Sequence, residues 1–170
     1  MSRILRDAAE KAPIFIVSVE GGKKDNAIPR ECLSEIIVEE DKAEAVKAAV
    51  EEAVNEIREE FASSDADFNV TTELSDGCSV KAVTKEDSAK AVALIQSLPN
   101  GIMRMSQDID NLVETSLNLG IISLDESGIC LRFALRSSVG VALKNLKNQI
   151  ACVSKTYGGS VEFTGEYPAW

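Results

Sequence analysis

Apolar residues recur every three or four positions in four stretches of the chain, which is the spacing of amphipathic helices. The clearest stripe consists of Val46, Val50, Val54, Ile57 and Phe61. Asp41 and Glu44 have the spacing of a capping box at a helix start, and Thr84 is a good N-cap residue. Gly158-Gly159 is typical of a helix end. The pattern therefore predicts helices over residues 2–12, 41–61, 84–98 and 139–157.

Other stretches alternate apolar and polar residues, or are rich in β-branched residues, and predict strands. The strongest hairpin joins residues 112–124 to 128–136 through a turn at Asp125–Gly128. In its second strand Leu135 belongs to a predicted core face, while Arg132 and Arg136 belong to the opposite face. Residues 102–111 show no clear period and predict a loop. Further strands are predicted over residues 14–20, 32–39, 68–74 and 160–164.

The order of these elements is helix, hairpin, inserted helices, hairpin, helix and strand. It predicts an α+β fold, a two-layer sandwich with a mainly antiparallel sheet and helices packed on one face. A chain of 170 residues has the length of one domain, and we take about 41–110 as an insertion within that domain.

The chain is acidic, with 28 acidic and 18 basic residues and a formal net charge of −10. Nucleic acids and anionic membranes require a basic surface, so we expect neither as a partner. No apolar run approaches the about 20 residues of a membrane span. The first residues also lack the apolar core of a signal peptide, which predicts a cytoplasmic protein.

The sequence contains no histidine. Since imidazole is the commonest general base near neutral pH and the commonest metal ligand, a Ser-His-Asp triad, a Cys-His dyad and a histidine zinc site are excluded within this chain. Cys32, Cys78, Cys130 and Cys152 lie far apart without C-x-x-C spacing, so we expect buried, reduced thiols. We therefore predict no histidine-dependent catalytic site and no metal ligands on this chain.

Five strings of residues stand out along the chain, at 21–31, 99–104, 113–120, 135–138 and 165–170. They resemble the aminoacyl-histidine dipeptidases (peptidase D), a branch of the dizinc peptidase family that includes glutamate carboxypeptidases and carnosinases, and their order and spacing fit across nearly the whole chain. Asn26-Ala27-Ile28-Pro29 contains the Asn-x-Ile-Pro pattern of the wider family. The string at 113–120 and the Tyr-Pro-x-Trp ending at 167–170 point to the dipeptidase branch.

Members of this family hold two zinc ions in a catalytic domain, into which a smaller lid domain is inserted. The resemblance implies that residues 1–170 are only that lid and dimerisation domain, with a ferredoxin-like fold and a helical insertion. The catalytic domain and its two zinc ions are then absent from this chain, and the isolated chain is predicted to be inactive. The parent enzyme would hydrolyse Xaa-His and related dipeptides, and we expect a homodimer.

The resemblance also implies substrate-binding roles for Asn26 and Arg136, which match the asparagine and arginine that hold the carboxylate end of the substrate in this family. A guanidinium binds a carboxylate through two charge-assisted hydrogen bonds, and an amide adds a neutral donor. The alternative for Asn26 is a turn residue that tolerates a positive φ. The alternative for Arg136 is a surface arginine paired with a carboxylate. Arg104 and Asn118 lie within the matching strings and receive no role.

Two other functions agree with composition and periodicity. One is a stand-alone small-molecule-binding or regulatory domain of ferredoxin-like shape. The other is a purely structural dimerisation module. Binding of amino acids by the isolated chain would favour the first, and an Arg136→Ala change without effect on the parent enzyme would favour the second.

Overall fold

The computed structural model describes residues 1–75 and 80–165. Within these residues the chain forms four α-helices, one 3₁₀ helix and five strands. In chain order they are α1 (Ser2–Lys11), β1 (Phe15–Gly21), β2 (Cys32–Ile37), the 3₁₀ helix (Glu40–Lys42), α2 (Ala43–Glu60), α3 (Lys85–Ser97), β3 (Gly101–Met105), β4 (Val113–Asp125), β5 (Gly128–Ser137) and α4 (Gly140–Thr156).

The strands form a five-stranded sheet in the order β2-β1-β4-β3, and β5 also pairs with β4. β3 runs antiparallel to β4, with Gly101 opposite Leu117 and Met105 opposite Val113. The register between these two strands shifts near Arg104. A mostly antiparallel sheet with four helices confirms the predicted α+β class.

The chain divides into two compact units, and the first comprises residues 1–19, 33–93 and 124–128. Its core packs Ile4 of α1 against Ala53, Val54 and Ile57 of α2. Val54 and Ile57 belong to the stripe that the spacing predicts, because one face of α2 is apolar.

A fully buried serine connects α3 to β1 within this unit. The Ser88 hydroxyl accepts a hydrogen bond from the backbone N–H of Ile16 at 3.0 Å. The N–H of Val83 in turn donates to the carbonyl of Ile16 at 2.7 Å. Both backbone groups of Ile16 are thus hydrogen-bonded to the segment that contains the start of α3. The N-cap role of Thr84 is confirmed, since its hydroxyl accepts from the N–H of Asp87 at 3.1 Å.

The second unit comprises residues 20–32, 94–123 and 129 onward. Its core joins Leu117 of β4 to Leu146 and Ile150 of α4, and Phe133 and Leu135 of β5 pack against this cluster. α4 ends as predicted at Gly158-Gly159. The N–H of Gly158 donates to the carbonyl of Lys155 at 3.0 Å, and the N–H of Gly159 donates to that of Ser154 at 2.8 Å. Gly158 has a φ of 81°, so this is a Schellman motif.

Three predictions about strands are wrong. Residues 68–74 form no strand, because Phe68 and Val70 pack against the α1–α2 core instead of pairing with a neighbour. Residues 160–164 form no strand either. Residues 102–111 are predicted as a loop, but Gly101–Met105 forms β3, because pairing with β4 supplies the order that the sequence pattern does not show.

Two predictions about individual side chains are also wrong. The capping box at Asp41 does not form, since a 3₁₀ helix occupies residues 40–42 and α2 begins at Ala43 with no side-chain cap. Cys32, Cys130 and Cys152 are exposed, not buried. Cys130, for example, points away from the α4 core because it alternates with the core-facing Phe133 and Leu135 of β5. Cys78 and residues 166–170 lie outside the described residues.

Candidate carboxylate-binding site

The segment between β1 and β2, residues 22–31, is called here the Asn26 loop. Its base is closed by a hydrogen bond of 3.4 Å from the N–H of Gly22 to the carbonyl of Glu31. A salt bridge of 2.6 Å between Lys23 and Glu31 lies beside it. Asn26 is exposed and occupies the third position of a turn that the N–H of Ala27 closes onto the carbonyl of Lys24 at 3.4 Å.

The turn does not place Asn26 in the left-handed region. Among the described residues, Asn111 is the non-glycine residue with a positive φ. Asn26 is therefore a turn residue, as in the alternative to its substrate-binding role. Its φ is not positive, however, so the turn does not need asparagine for that reason. Its exposed amide stays available for a ligand.

The Asn26 loop packs directly on β4 at Gly120, which has no side chain. A Cβ built on Gly120 would lie 2.2 Å from the carbonyl oxygen of Asp25, and one built on Gly22 would lie 1.9 Å from the carbonyl oxygen of Gly120. Real Cβ atoms do not approach backbone this closely. Backbone contact between loop and strand therefore requires glycine at both positions.

Two asparagines that received no role from the sequence hold this contact together. The side-chain amide of Asn118 donates to the carbonyl of Ala27 at 2.7 Å and to that of Asp25 at 3.4 Å. The side-chain oxygen of Asn100 accepts from the N–H of Leu119 at 2.8 Å. The strings at residues 21–31, 99–104 and 113–120 thus meet at one place in the second unit.

Arg136 lies near the end of β5, and its side chain is exposed. The chain just after it is fixed to β4, because the N–H of Ser138 donates to the carbonyl of Glu114 at 3.0 Å and the hydroxyls of Thr115 and Ser137 lie 2.8 Å apart. None of the salt bridges within the described residues involves Arg136. Its guanidinium is therefore not occupied by a carboxylate there.

The alternation of side chains places the Asn26 loop and Arg136 on one face of the sheet. Leu117 and Leu135 both contact the α4 core, so they point to the same face. The next residues, Asn118 and Arg136, point to the opposite face because successive side chains in a strand alternate. On that face, the side-chain amide of Asn118 donates hydrogen bonds to the backbone of the Asn26 loop. The Asn26 amide and a guanidinium with no carboxylate partner among the described residues thus share the sheet face opposite α4.

The second unit also contains a cleft, which lies beside α4 and away from Asn26 and Arg136. A cavity of about 430 Å³ is lined by residues of α4, with Arg104 and Thr115 from the adjoining strands. It lies on the α4 side of the sheet and includes neither Asn26 nor Arg136. We place the candidate site on the sheet face opposite α4, called here the open face. Arg136 on that face has no carboxylate partner among the described residues, whereas Arg104 in the cleft lies 3.5 Å from the carboxylate of Glu114.

The described residues contain no group of three or more histidine, cysteine, aspartate or glutamate side chains that could hold a metal ion. They do not fit a zinc centre, and no metal-dependent step is assigned to them. No helix within residues 1–75 and 80–165 has the length and apolarity required to cross a bilayer.

The salt bridge at the base of the Asn26 loop shifts the pKa of both of its partners. The hydrogen bond from Lys23 lowers the pKa of Glu31, and the same bond raises the pKa of Lys23. A lowered carboxyl pKa adds stability above the ordinary carboxyl pKa, which is lost as the pH falls through the lowered value. A raised lysine pKa adds stability that is lost only as the pH rises through the raised value. The loop base therefore stays paired across the neutral range.

We expect Glu31 to titrate at a lower pH than an unpaired glutamate, as measured by ¹³C NMR of its carboxyl carbon. Substitution Lys23→Met removes the hydrogen-bond donor and should move the midpoint up to the ordinary range. Lys24→Met is the control, because Lys24 has no described contact with Glu31. If the titration midpoint of Glu31 does not change in Lys23→Met, the salt bridge does not form in solution.

We expect Gly120→Ala to destabilise the protein by about 1–3 kcal/mol, the range for inserting a methyl group where no space exists. Its Cβ would meet the carbonyl of Asp25 at 2.2 Å. Gly140→Ala is the control, since a Cβ there meets nothing within 4 Å and alanine favours the helix. Urea unfolding of both variants measures the difference. Equal stability of the two would contradict the close packing of the Asn26 loop on β4.

Comparisons with known proteins agree with the resemblance that the motifs indicate. The chain is 28% identical over 169 residues to the cytosol non-specific dipeptidase of Escherichia coli (strain K12), covering 99% of this chain and 34% of that protein. It matches the crystal structure of aminoacylhistidine dipeptidase from Vibrio alginolyticus with a TM-score of 0.87 and 26% identity. That match also covers 99% of this chain and 34% of the other.

No family model matches the chain. The chain spans about a third of the length of the relatives that it matches. The predicted resemblance to aminoacyl-histidine dipeptidases is confirmed: over nearly its whole length, the chain is similar in sequence and in fold to one part of such a dipeptidase.

Proposed function

We propose that residues 1–170 form the lid and dimerisation domain of a zinc-dependent dipeptidase that hydrolyses Xaa-His and related dipeptides. The observation that carries this proposal is the shared face of Arg136 and the Asn26 loop, found in a chain that matches one part of two dipeptidases. We treat the chain as one lid domain with about 41–110 as its insertion. The name of the Escherichia coli relative supports a cytoplasmic location.

We assign recognition of the substrate's terminal carboxylate to Arg136 and Asn26. The guanidinium of Arg136 would take the two carboxylate oxygens in a forked, charge-assisted pair, and the amide of Asn26 would add a neutral N–H donor. Both side chains are exposed on the open face of the sheet, so a dipeptide can reach them before the enzyme closes. Closure over the substrate would then exclude water from these hydrogen bonds and strengthen them.

This function divides the work between the lid and the rest of the enzyme. The resemblance implies that the two zinc ions belong to a catalytic domain outside this chain, and the described residues contain no group of three or more possible metal ligands. The matched segment is 34% of each relative, which leaves room for such a domain in a protein of that kind. The lid would bind and orient the dipeptide and would take no part in bond cleavage.

The edge of the sheet supports the proposed homodimer. β3 is the last strand in the order β2-β1-β4-β3. Three of its apolar side chains are 40–60% exposed, namely Ile102, Met103 and Met105. An edge strand with apolar side chains is suited to pairing with a second chain. We expect sedimentation velocity to show a dimer that Ile102→Lys and Met105→Lys together convert to a monomer, and a wild-type monomer would contradict the proposal.

The proposed carboxylate role is tested in a chimera in which this chain replaces the matched third of the Escherichia coli dipeptidase. Arg136→Ala should raise KM by at least roughly 10- to 100-fold with the fold intact, because even one hydrogen bond to a charged group contributes about 1.5–3 kcal/mol. Arg136→Lys should restore only part of the affinity, since lysine lacks the forked geometry.

Arg132→Ala is the matched control. Arg132 is exposed on the same face of β5, about 13 Å from Arg136 at 3.3 Å per residue, and should leave KM unchanged. Equal KM values for the wild-type chimera and Arg136→Ala would refute the assignment. A similar rise in KM for both variants would point to a general effect of positive charge on this face.

A further inference from the structure

We propose that Asn118 is a positioning residue that fixes the backbone of Asn26 in the orientation required for substrate binding. Its side-chain amide donates one hydrogen bond to the carbonyl before Asn26, at Asp25, and one to the carbonyl after it, at Ala27. Asp25 and Ala27 are the residues directly before and after Asn26 in the chain. Because Asn118 acts through Asn26, its effect on catalysis rests on the function proposed above.

Both hydrogen bonds require an N–H₂ group at this position. The two acceptors are backbone carbonyl oxygens, which cannot donate, so the amide of Asn118 must direct its nitrogen toward the loop. An N–H₂ group has two hydrogens, one for each carbonyl. An aspartate or a leucine of the same shape would supply neither.

The Asn26 loop depends on this support because its own turn is weakly closed. The hydrogen bond within the turn, from Ala27 to Lys24, is 3.4 Å long. The bond from Asn118 to Ala27 is 2.7 Å and is the shortest hydrogen bond described for residues 24–27. The exposed Asn26 therefore owes its fixed position to a residue of β4 more than to the loop itself.

The support beneath Asn118 is also fixed. The side chain of Asn100, directly before β3, accepts a hydrogen bond from the N–H of Leu119 at 2.8 Å. The next residue, Gly120, lies against the loop backbone. A short chain of contacts thus runs from Asn100 through β4 to the Asn26 turn. A donor held in place before the substrate arrives loses less entropy on binding than a mobile one, which strengthens the interaction.

The test compares Asn118→Leu, which keeps the shape without donors or charge, with Asn118→Ala in case the larger side chain disturbs folding. Asn148→Ala, an exposed asparagine on α4, is the matched control. ¹⁵N relaxation of the 170-residue chain measures the order of the Asp25–Ala27 amides. Kinetics of the dipeptidase chimera measure KM and kcat, with Asn26→Ala as the reference for loss of the donor itself.

We expect both Asn118 variants to lower the order parameters of the Asp25–Ala27 amides from about 0.85, the value of rigid backbone, toward 0.6. KM should rise about tenfold, comparable to Asn26→Ala, while kcat changes less than about threefold; a misplaced binding group can account for such a loss. The Asn148 control should change neither quantity.

Two results would overturn the positioning role: unchanged order in the turn, or a normal KM in the Asn118 variants while Asn26→Ala raises KM. A normal KM in Asn26→Ala itself would instead overturn the proposed function of the site. The two failures are thereby distinguished.

Discussion

The packing of the Asn26 loop on β4 depends on two positions that carry no side chain, Gly22 and Gly120. Each glycine allows the loop backbone and the strand backbone to meet, because a Cβ at either position would lie within 2.2 Å of a backbone carbonyl oxygen. Such close approach lets Asn118 reach the carbonyls on both sides of Asn26. An exposed loop, which would ordinarily sample many conformations, is thereby held in one. The candidate site exists because loop and strand share backbone contact, not because a pocket surrounds it.

The second constraint is the alternation of side chains in β4 and β5. Leucines on one face build the core with α4, and this core sets the direction in which their neighbours point. Arg136 therefore points away from the core because Leu135 points into it. The same hydrophobic packing that stabilises the second unit directs its polar donors to the open face. Folding and the proposed substrate recognition thus depend on one pattern of residues.

The features that local patterns determine could be predicted from the sequence. The hairpin of β4 and β5, the helix end at Gly158-Gly159 and the exposure of Arg136 follow from alternation and turn chemistry. β3 has no such pattern, because four of its five residues are exposed and only pairing with β4 defines it. Asn118 was missed for a related reason: its acceptor at Ala27 lies 91 residues away, and no local signal reveals a contact across that separation.

The division between a lid that binds and a catalytic domain that cleaves is tested most directly by dipeptide hydrolysis in the presence of zinc. The purified 170-residue chain and the chimera with the Escherichia coli dipeptidase are assayed side by side on the same Xaa-His dipeptide. We expect turnover by the chimera and none by the chain alone. Turnover by the chain alone, lost on Arg136→Ala, would contradict the account, since these residues would then perform chemistry assigned here to another domain.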